Sequence, residues 1–501
     1  MDVALQTQTF TGYEPVFSDT QTLETAGEMI VPDKMPDIGR IADADGVVLL
    51  RSKEAEAGKL RLQGEVQVSV LYLPDGAAGF RALHLALPLE LLAESEEISH
   101  SCVPAAELTL AGVEARILNP RKILVRAEVQ AETACYGFTT YSYSADVEKT
   151  TEAPIQLRQT TTQICMIPSV CERTFVVTDE IALSGAAADG EIVSRRAQFR
   201  MDDVKTVGNK MILKGSVVSD VAYLNSAFRL ESVSFTTPFS QIMEMDSEEI
   251  SPNARFRVMA TGLYYELNHG ESGDRLTMEL HAVCQTAALS MREVSYIADA
   301  YSNAYPCAPE YRTDRVRLDT HTETLRETLR ETMGGKSDVE SVQLAACRVS
   351  DCTVRTDGVY IRLELKLCVQ YAAGVSDCLS KTVEVQFAAG ETEGERVPER
   401  VRCLDLHTVL SGGGVEVRLT VEADLRTTRW GTLRSLTGLT LDEEQLSCQN
   451  RPSLTVIQSG GALWDLARKY GSTVELIRAW NDSEGDFAPS GEVLLIPRER
   501  F

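Results

Sequence analysis

Three stretches of this chain place apolar side chains on every second residue, a period that only an extended strand satisfies. In Gly58–Leu73, GKLRLQGEVQVSVLYL, the apolar positions are Leu60, Leu62, Val66, Val68, Val70 and Tyr72. In Asn209–Leu224, NKMILKGSVVSDVAYL, they are Met211, Leu213, Val217, Val221 and Tyr223. In Gly358–Ala372, GVYIRLELKLCVQYA, they are Val359, Ile361, Leu363, Leu365, Leu367, Val369 and Tyr371. Each run reads as a strand with one buried and one wet face. A tyrosine closes all three at matching places. Gly64 and Gly215 also coincide, and a glycine inside a strand implies a bulge or a close backbone approach.

A second strand recurs behind each of these. Ile123, Val125, Ala127 and Val129 share one face in the first copy. Leu276, Met278, Leu280 and Ala282 do so in the second, and Val415, Val417, Leu419, Val421 and Ala423 in the third. Each follows a strand-like run and a turn: NPRK from Asn119, NHGESGD from Asn268, SGGG from Ser411. These are hairpin signatures. Between the two strand groups the pentapeptide SEEIS occurs twice, at Ser95–Ser99 and Ser247–Ser251. The third copy has GETEGERVPE, Gly390–Glu399, in that place. SEEIS reads as a solvated acidic loop, or as a helix start capped by Ser95 or Ser247; a binding loop is the other reading. The chain is therefore built from three related β-rich units.

After the polar connection Leu441–Ser453 the pattern changes. Leu454–Gln458 is a short strand, and Leu463, Leu466, Ala467 and Tyr470 form one apolar stripe of a helix. Gly471 suits the left-handed residue that ends it. Ser472 and Glu475 have the spacing of a capping box for a second helix, with Val474 and Ile477 inward. Pro489–Pro497 is a turn and a closing strand. The order is βααβ.

This segment resembles a LysM domain through Gly460, Leu463-Trp464, Ala467, Tyr470-Gly471, Asn481, Pro489 with Gly491, and Ile496-Pro497. LysM domains bind N-acetylglucosamine polymers in a shallow groove between two loops. The resemblance implies a groove lined by Gly460, Gly461, Ala462 and Leu463 on one side and by Phe487, Ala488, Pro489, Ser490 and Gly491 on the other. The family's usual Gly-Asp-Thr is here Gly460-Gly461-Ala462. That removes the polar groups which orient a sugar, so a protein partner is expected to use the same surface. Trp464 is expected to pack rather than to stack on a ligand.

Met29–Val48, MIVPDKMPDIGRIADADGVV, with the strand after it, resembles the SPOCS domain. The second unit matches less closely, and the third mainly by its strand pattern. Expected, then, is a mainly β protein: three related β-sandwich-like SPOCS units at 1–150, 151–310 and 311–447, followed by a small βααβ LysM domain at 448–501. SPOCS units with a terminal LysM domain are similar to a clostridial family of spore-coat morphogenesis. The resemblance implies a non-catalytic adaptor that binds the stage IV sporulation protein A-like ATPase scaffold in the mother cell, at the forespore surface. The alternative is a peptidoglycan-binding cell-wall protein.

Charge and motifs narrow the classes further. A formal net charge of −25 opposes binding to nucleic acid or to anionic lipid. No apolar run is long enough to span a bilayer. The N-terminus, MDVALQTQTFTGYEPVF, has neither the cationic start nor the apolar core of a secretory signal, so a cytoplasmic location is expected. Twelve cysteines are scattered without a C-x-x-C, and Cys347 with Cys352 lacks a partner pair for zinc. No metal or cofactor is expected. MGGKS, Met333–Ser337, lacks the glycine and the strand of a phosphate loop; Thr322–Met333, TETLRETLRETM, reads as an amphipathic helix ending at Gly334-Gly335. None of the six histidines has metal spacing, and no nucleophile motif occurs. The chain is expected not to be an enzyme.

Overall fold

The structure is a computed structural model. It describes residues 1–148, 153–183, 190–225, 228–247, 250–270, 273–334, 339–355, 357–371, 376–388, 393–411, 414–444, 446, 453–458, 460–482, 485–488, 490–491 and 493–498.

The alternating runs are the central strands of small antiparallel sheets. In the first unit β1 (Leu5–Ile30) leads into β2 (Ile38–Glu56), β3 (Lys59–Pro74), β4 (Arg81–Glu94), β5 (Val103–Asn119) and β6 (Lys122–Val147). These form two three-stranded sheets, β2-β3-β4 and β1-β6-β5. Leu60, Leu62, Val66, Val68, Val70 and Tyr72 of β3 share one core with Ile123, Val125, Ala127 and Val129 of β6. The unit is thus a two-sheet sandwich, and alternation follows because each sheet buries one face.

The topology recurs twice. In the second unit β7 (Ile155–Met166), β8 (Val170–Ala182), β9 (Glu191–Val207), β10 (Lys210–Leu224), β11 (Leu230–Glu244), β12 (Ser251–Gly270) and β13 (Gly273–Ser302) give the sheets β9-β10-β11 and β12-β13, with β7 and β8 both on β13. Together β7 and β8 stand where β1 stands. The break falls at Pro168, which has no N–H to give a ladder. In the third, β14 (Cys307–Met333), β15 (Val339–Arg355), β16 (Gly358–Tyr371), β17 (Ser376–Ala388), β18 (Glu395–Ser411) and β19 (Gly414–Leu441) give β15-β16-β17 and β14-β19-β18.

Irregularities recur with the strands. Gly64 lies where β2 carries an extra residue between Leu50 and Ser52. Gly215 lies where β9 carries one between Met201 and Asp203. Leu363 occupies the equivalent register position opposite β15, whose extra residue falls between Val349 and Asp351. A Cβ on Gly64 would come 2.8 Å from the Leu49 carbonyl oxygen, and on Gly215 2.4 Å from that of Arg200. The three tyrosines mark a second bulge: the partner strand slips beside Tyr72, Tyr223 and Tyr371 alike.

Two local expectations are corrected. Thr322–Met333 is strand, the far half of β14, paired with Val415–Arg426 of β19. Leu325, Leu329 and Met333 are four apart, which satisfies a helical stripe and a strand face equally. The backbone edge of β19 decides between them by offering a ladder to threonine-rich chain. Gly335–Ser337 of the MGGKS segment lie outside the described residues. SEEIS at Ser95–Ser99 starts no helix. Ile98 donates its N–H to the Ser95 carbonyl, and its side chain is buried in the first core. In the second copy Glu248 and Glu249 lie outside the described residues; Ile250 packs on the second core.

The segment Met29–Ile41 docks on its own unit. The Arg121 guanidinium, from the NPRK turn, donates to the carbonyls of Val31, Pro32 and Met35 at 3.0, 2.9 and 2.8 Å and to the Asp37 carboxylate at 2.9 Å. The Tyr72 hydroxyl holds the Pro36 carbonyl at 3.0 Å.

The three sandwiches are joined by shared cores and buried charge. The far ends of β6, β13 and β19 converge: Tyr143, Val294 and Leu433 meet in one apolar cluster, and Val3, Ile297 and Leu439 in another. At a separate junction, Asp45 of the first unit accepts from Arg196 Nε of the second at 2.6 Å and from Arg348 of the third. Burial opposes the Asp45 charge, but the two guanidiniums prevail and hold its carboxyl below the ordinary range. Asp43, beside it, pairs with Lys366 Nζ at 3.2 Å; there burial prevails and the carboxyl is pushed up. Arg255 links Glu132 at 3.2 Å with Glu399 at 3.6 Å, again across all three units. No helix among the described residues is long and apolar enough to cross a membrane.

Candidate functional site

The last segment contains both helices found among the described residues. Its elements are β20 (Leu454–Gln458), β21 (Gly461–Ala462), α1 (Leu463–Tyr470), α2 (Val474–Asn481), β22 (Phe487–Ala488) and β23 (Val493–Pro497). The expected βααβ order is present, with β20 antiparallel to β23. Leu463, Ala467, Ile477, Leu494 and Ile496 form its core. Gly471, at φ 69°, ends α1 in the left-handed conformation. The cap of α2 differs from expectation by one residue. Ser472 gives its N–H to the Ala467 carbonyl and so still closes α1; Thr473 caps α2, its hydroxyl accepting from Leu476 N at 3.2 Å. Asn481 acts as an extra rung for β23, donating to the Leu495 carbonyl at 2.7 Å and accepting its N–H at 2.8 Å.

The two loops named from the sequence meet. Gly461 pairs with Ala488, and Ala462 with Phe487. Gly460 packs against the neighbouring loop so closely that a Cβ there would lie 2.6 Å from the Cα of Ser490. Gly461 has φ +146°, a conformation closed to most L residues. Ala462 is the N-cap of α1 and offers it no side-chain hydrogen bond. A Thr or Asp there would supply one. Leu463 and Ala488 point into the tail's own core and shape the loops from behind. Phe487 projects outward, with 71% of its surface exposed, and Ser490 and Gly491 are exposed beside it. Pro489 lies outside the described residues. Around Phe487 the Arg478 guanidinium pairs with Asp486, and Leu463 N donates to the Asp486 carbonyl at 2.8 Å.

Another face of the tail is fastened to the body. Asp299 sits on a bulge of β13 with a side chain only 8% exposed. It accepts from Trp464 Nε1 at 2.8 Å, from Arg468 Nη1 at 3.0 Å and from the Tyr311 hydroxyl. Burial works against its charge, yet the bonds from Tyr311, Trp464 and Arg468 outweigh burial and hold its carboxyl below the usual value. The Tyr301 ring meets Trp464 edge-on at 4.8 Å, its hydroxyl donates to the Ser472 carbonyl at 2.9 Å, and Arg158 lies over the indole. Trp464 therefore packs between tail and body. Sequence reasoning did not single out Asp299 or Tyr301. The available signal was a lone carboxylate in the apolar run Ile297–Tyr301, which demands a buried partner. Among the described residues no three His, Cys, Asp or Glu side chains are grouped to hold a metal ion.

Comparison with known proteins gives one finding. Residues 190–268 match the family model described as SipL, SPOCS domain. The match covers β9, β10, β11 and nearly all of β12, in the second unit rather than in the first, where the sequence likeness was read most clearly. No curated protein and no solved structure matches the chain.

Proposed function

We propose that this SipL-like SPOCS protein, a sporulation-related chain by its matched domain, is a non-catalytic adaptor in endospore coat assembly. Its docking head is the helical tail, and its partner is the stage IV sporulation protein A-like ATPase scaffold on the forespore surface. The observation that carries this reading is the mounting of the tail. One face is tied down through Trp464 and Arg468 on Asp299, while the paired loops around Phe487 stay open. An exposed aromatic on a rigid support is a favourable anchor, because little side-chain freedom is lost on contact. Gly461 and Ala462 bring no side-chain polar group to that surface, which suits a protein surface better than a sugar. The body supplies a fixed platform: salt bridges such as Asp45 with Arg196 and Arg348 hold the units together, so partner sites on it would keep constant spacing.

The test is affinity purification from sporulating cells. Deletion of Leu454–Phe501 is expected to abolish recovery of the ATPase, and Phe487→Ala to weaken it, while circular dichroism of the body stays unchanged. Full recovery with the deletion would place the contact elsewhere. Strong retention of the full chain on purified peptidoglycan, lost with Phe487→Ala, would favour the cell-wall reading instead.

A further inference from the structure

Where the three units meet, a cavity of about 260 Å³ opens between β2, β5, β9, β12, β15 and β18. Its charged lining is Asp45, Glu107, Arg196, Arg348, Arg400 and Arg402. Four guanidiniums thus face two carboxylates inside a strongly acidic chain. Asp45 is committed to Arg196 and Arg348, and Glu107 reaches Arg400 only at 4.0 Å. Arg402 has Asp424 at 2.8 Å and Glu422 at 3.4 Å beside it, both off the cavity wall. Even so, burial together with the nearby Arg400 and Arg200 outweighs those carboxylates and pushes the Arg402 guanidinium below its ordinary value. Arg348 Nη1 and Arg402 Nε are buried without a hydrogen-bond partner. A buried guanidinium nitrogen left unpaired is costly.

We propose that this cavity, lined by four guanidiniums of which two keep an unpartnered nitrogen, binds a small dianionic oxyanion of the phosphate class. The volume is several times the roughly 30 Å³ share of one water, enough for inorganic phosphate or a small phosphate monoester. Arginine suits such a ligand because its planar fork donates two parallel bonds to tetrahedral oxygens. A second cavity of about 550 Å³ adjoins the first, with Arg196, Gln198, Cys347 and Cys403 in the lining of both, and adds Arg200. Glu107 is the one acidic side chain at the wall that opposes the ligand without a short ion pair.

The test uses the full chain, with thermal unfolding and titration calorimetry. Inorganic phosphate and glycerol phosphate are compared with sodium chloride at matched ionic strength. Phosphate is expected to raise Tm saturably where chloride does not, and the two phosphate arms tell the free anion from the monoester. Arg402→Gln is expected to weaken binding at least tenfold. Should that variant fold poorly, Glu107→Gln removes the opposing charge with little threat to the fold, and is expected to tighten binding. Absence of a saturable effect of either anion beyond the chloride control would overturn the proposal. So would a Glu107→Gln titration identical to that of the unaltered chain.

Discussion

Asp45→Asn tests how the three units are held. The Asp45 side chain is 6% exposed, and its partners Arg196 and Arg348 are 18% and 12% exposed. The amide keeps the shape and removes the charge, so two buried guanidiniums are left facing each other. Removing one member of a buried ion pair costs about 3–5 kcal/mol, whereas an exposed pair contributes about 0–1 kcal/mol. Arg61 with Glu90, at 3.5 Å on the surface of the first unit, is the internal control. Urea denaturation followed by circular dichroism is expected to show a loss of about 3–5 kcal/mol for Asp45→Asn and at most about 1 kcal/mol for Arg61→Gln. The pH dependence carries a sign. The folded carboxyl of Asp45 lies below its unfolded value, so its stabilisation is present above the unfolded value of about 3.9 and is lost as pH falls through the folded one. The deficit of the variant should therefore be flat between pH values of roughly 8 and 5 and shrink only below about 4. A loss no larger than that of Arg61→Gln, or a deficit that changes across the neutral range, would refute the argument.

Two other substitutions probe the mounting and the bulges. Asp299→Ala removes the acceptor shared by Trp464, Arg468 and Tyr311. It should cost roughly 1.5–3 kcal/mol of docking, seen as a red shift of tryptophan emission and faster proteolysis ahead of Leu454. Because the Asp299 carboxyl is held below its usual value, docking of the unaltered tail should persist above about pH 4 and weaken only in more acid solution; emission that shifts near pH 6 would contradict the assignment. Gly215→Ala places a Cβ 2.4 Å from the Arg200 carbonyl oxygen and 2.6 Å from the Phe239 ring. It should lower stability by about 1–3 kcal/mol, and a thermal midpoint unchanged from the unaltered chain would show that the strand relaxes freely there.

The strands were legible because alternation is a local signal. Leu60 to Tyr72 and Ile123 to Val129 announce one buried face each, and the same pattern returns twice. Gly64 and Gly215 were legible as bulge positions for a similar reason. The bulge at Leu363 was not, since a leucine gives no sign that the opposite strand carries an extra residue. Thr322–Met333 misled because its leucine spacing fits two periods, and pairing with β19 settled the matter from outside the segment. In the tail, Gly471 and the stripe of α1 were readable. The cap was misplaced by one residue because Ser472 serves the helix behind it.

By itself the sequence determined the class of the protein: repeated two-faced strands, and a change to helical spacing after residue 453. Those features rest on interactions between near neighbours along the chain. Tertiary structure alone decided that the three sandwiches fuse through Asp45, Arg196 and Arg348, that Met29–Ile41 folds onto Arg121, and that Asp299 receives Trp464. Each of these joins residues far apart in sequence. A carboxylate in an apolar strand announces that it needs a partner, but only the folded chain can say which cation arrives.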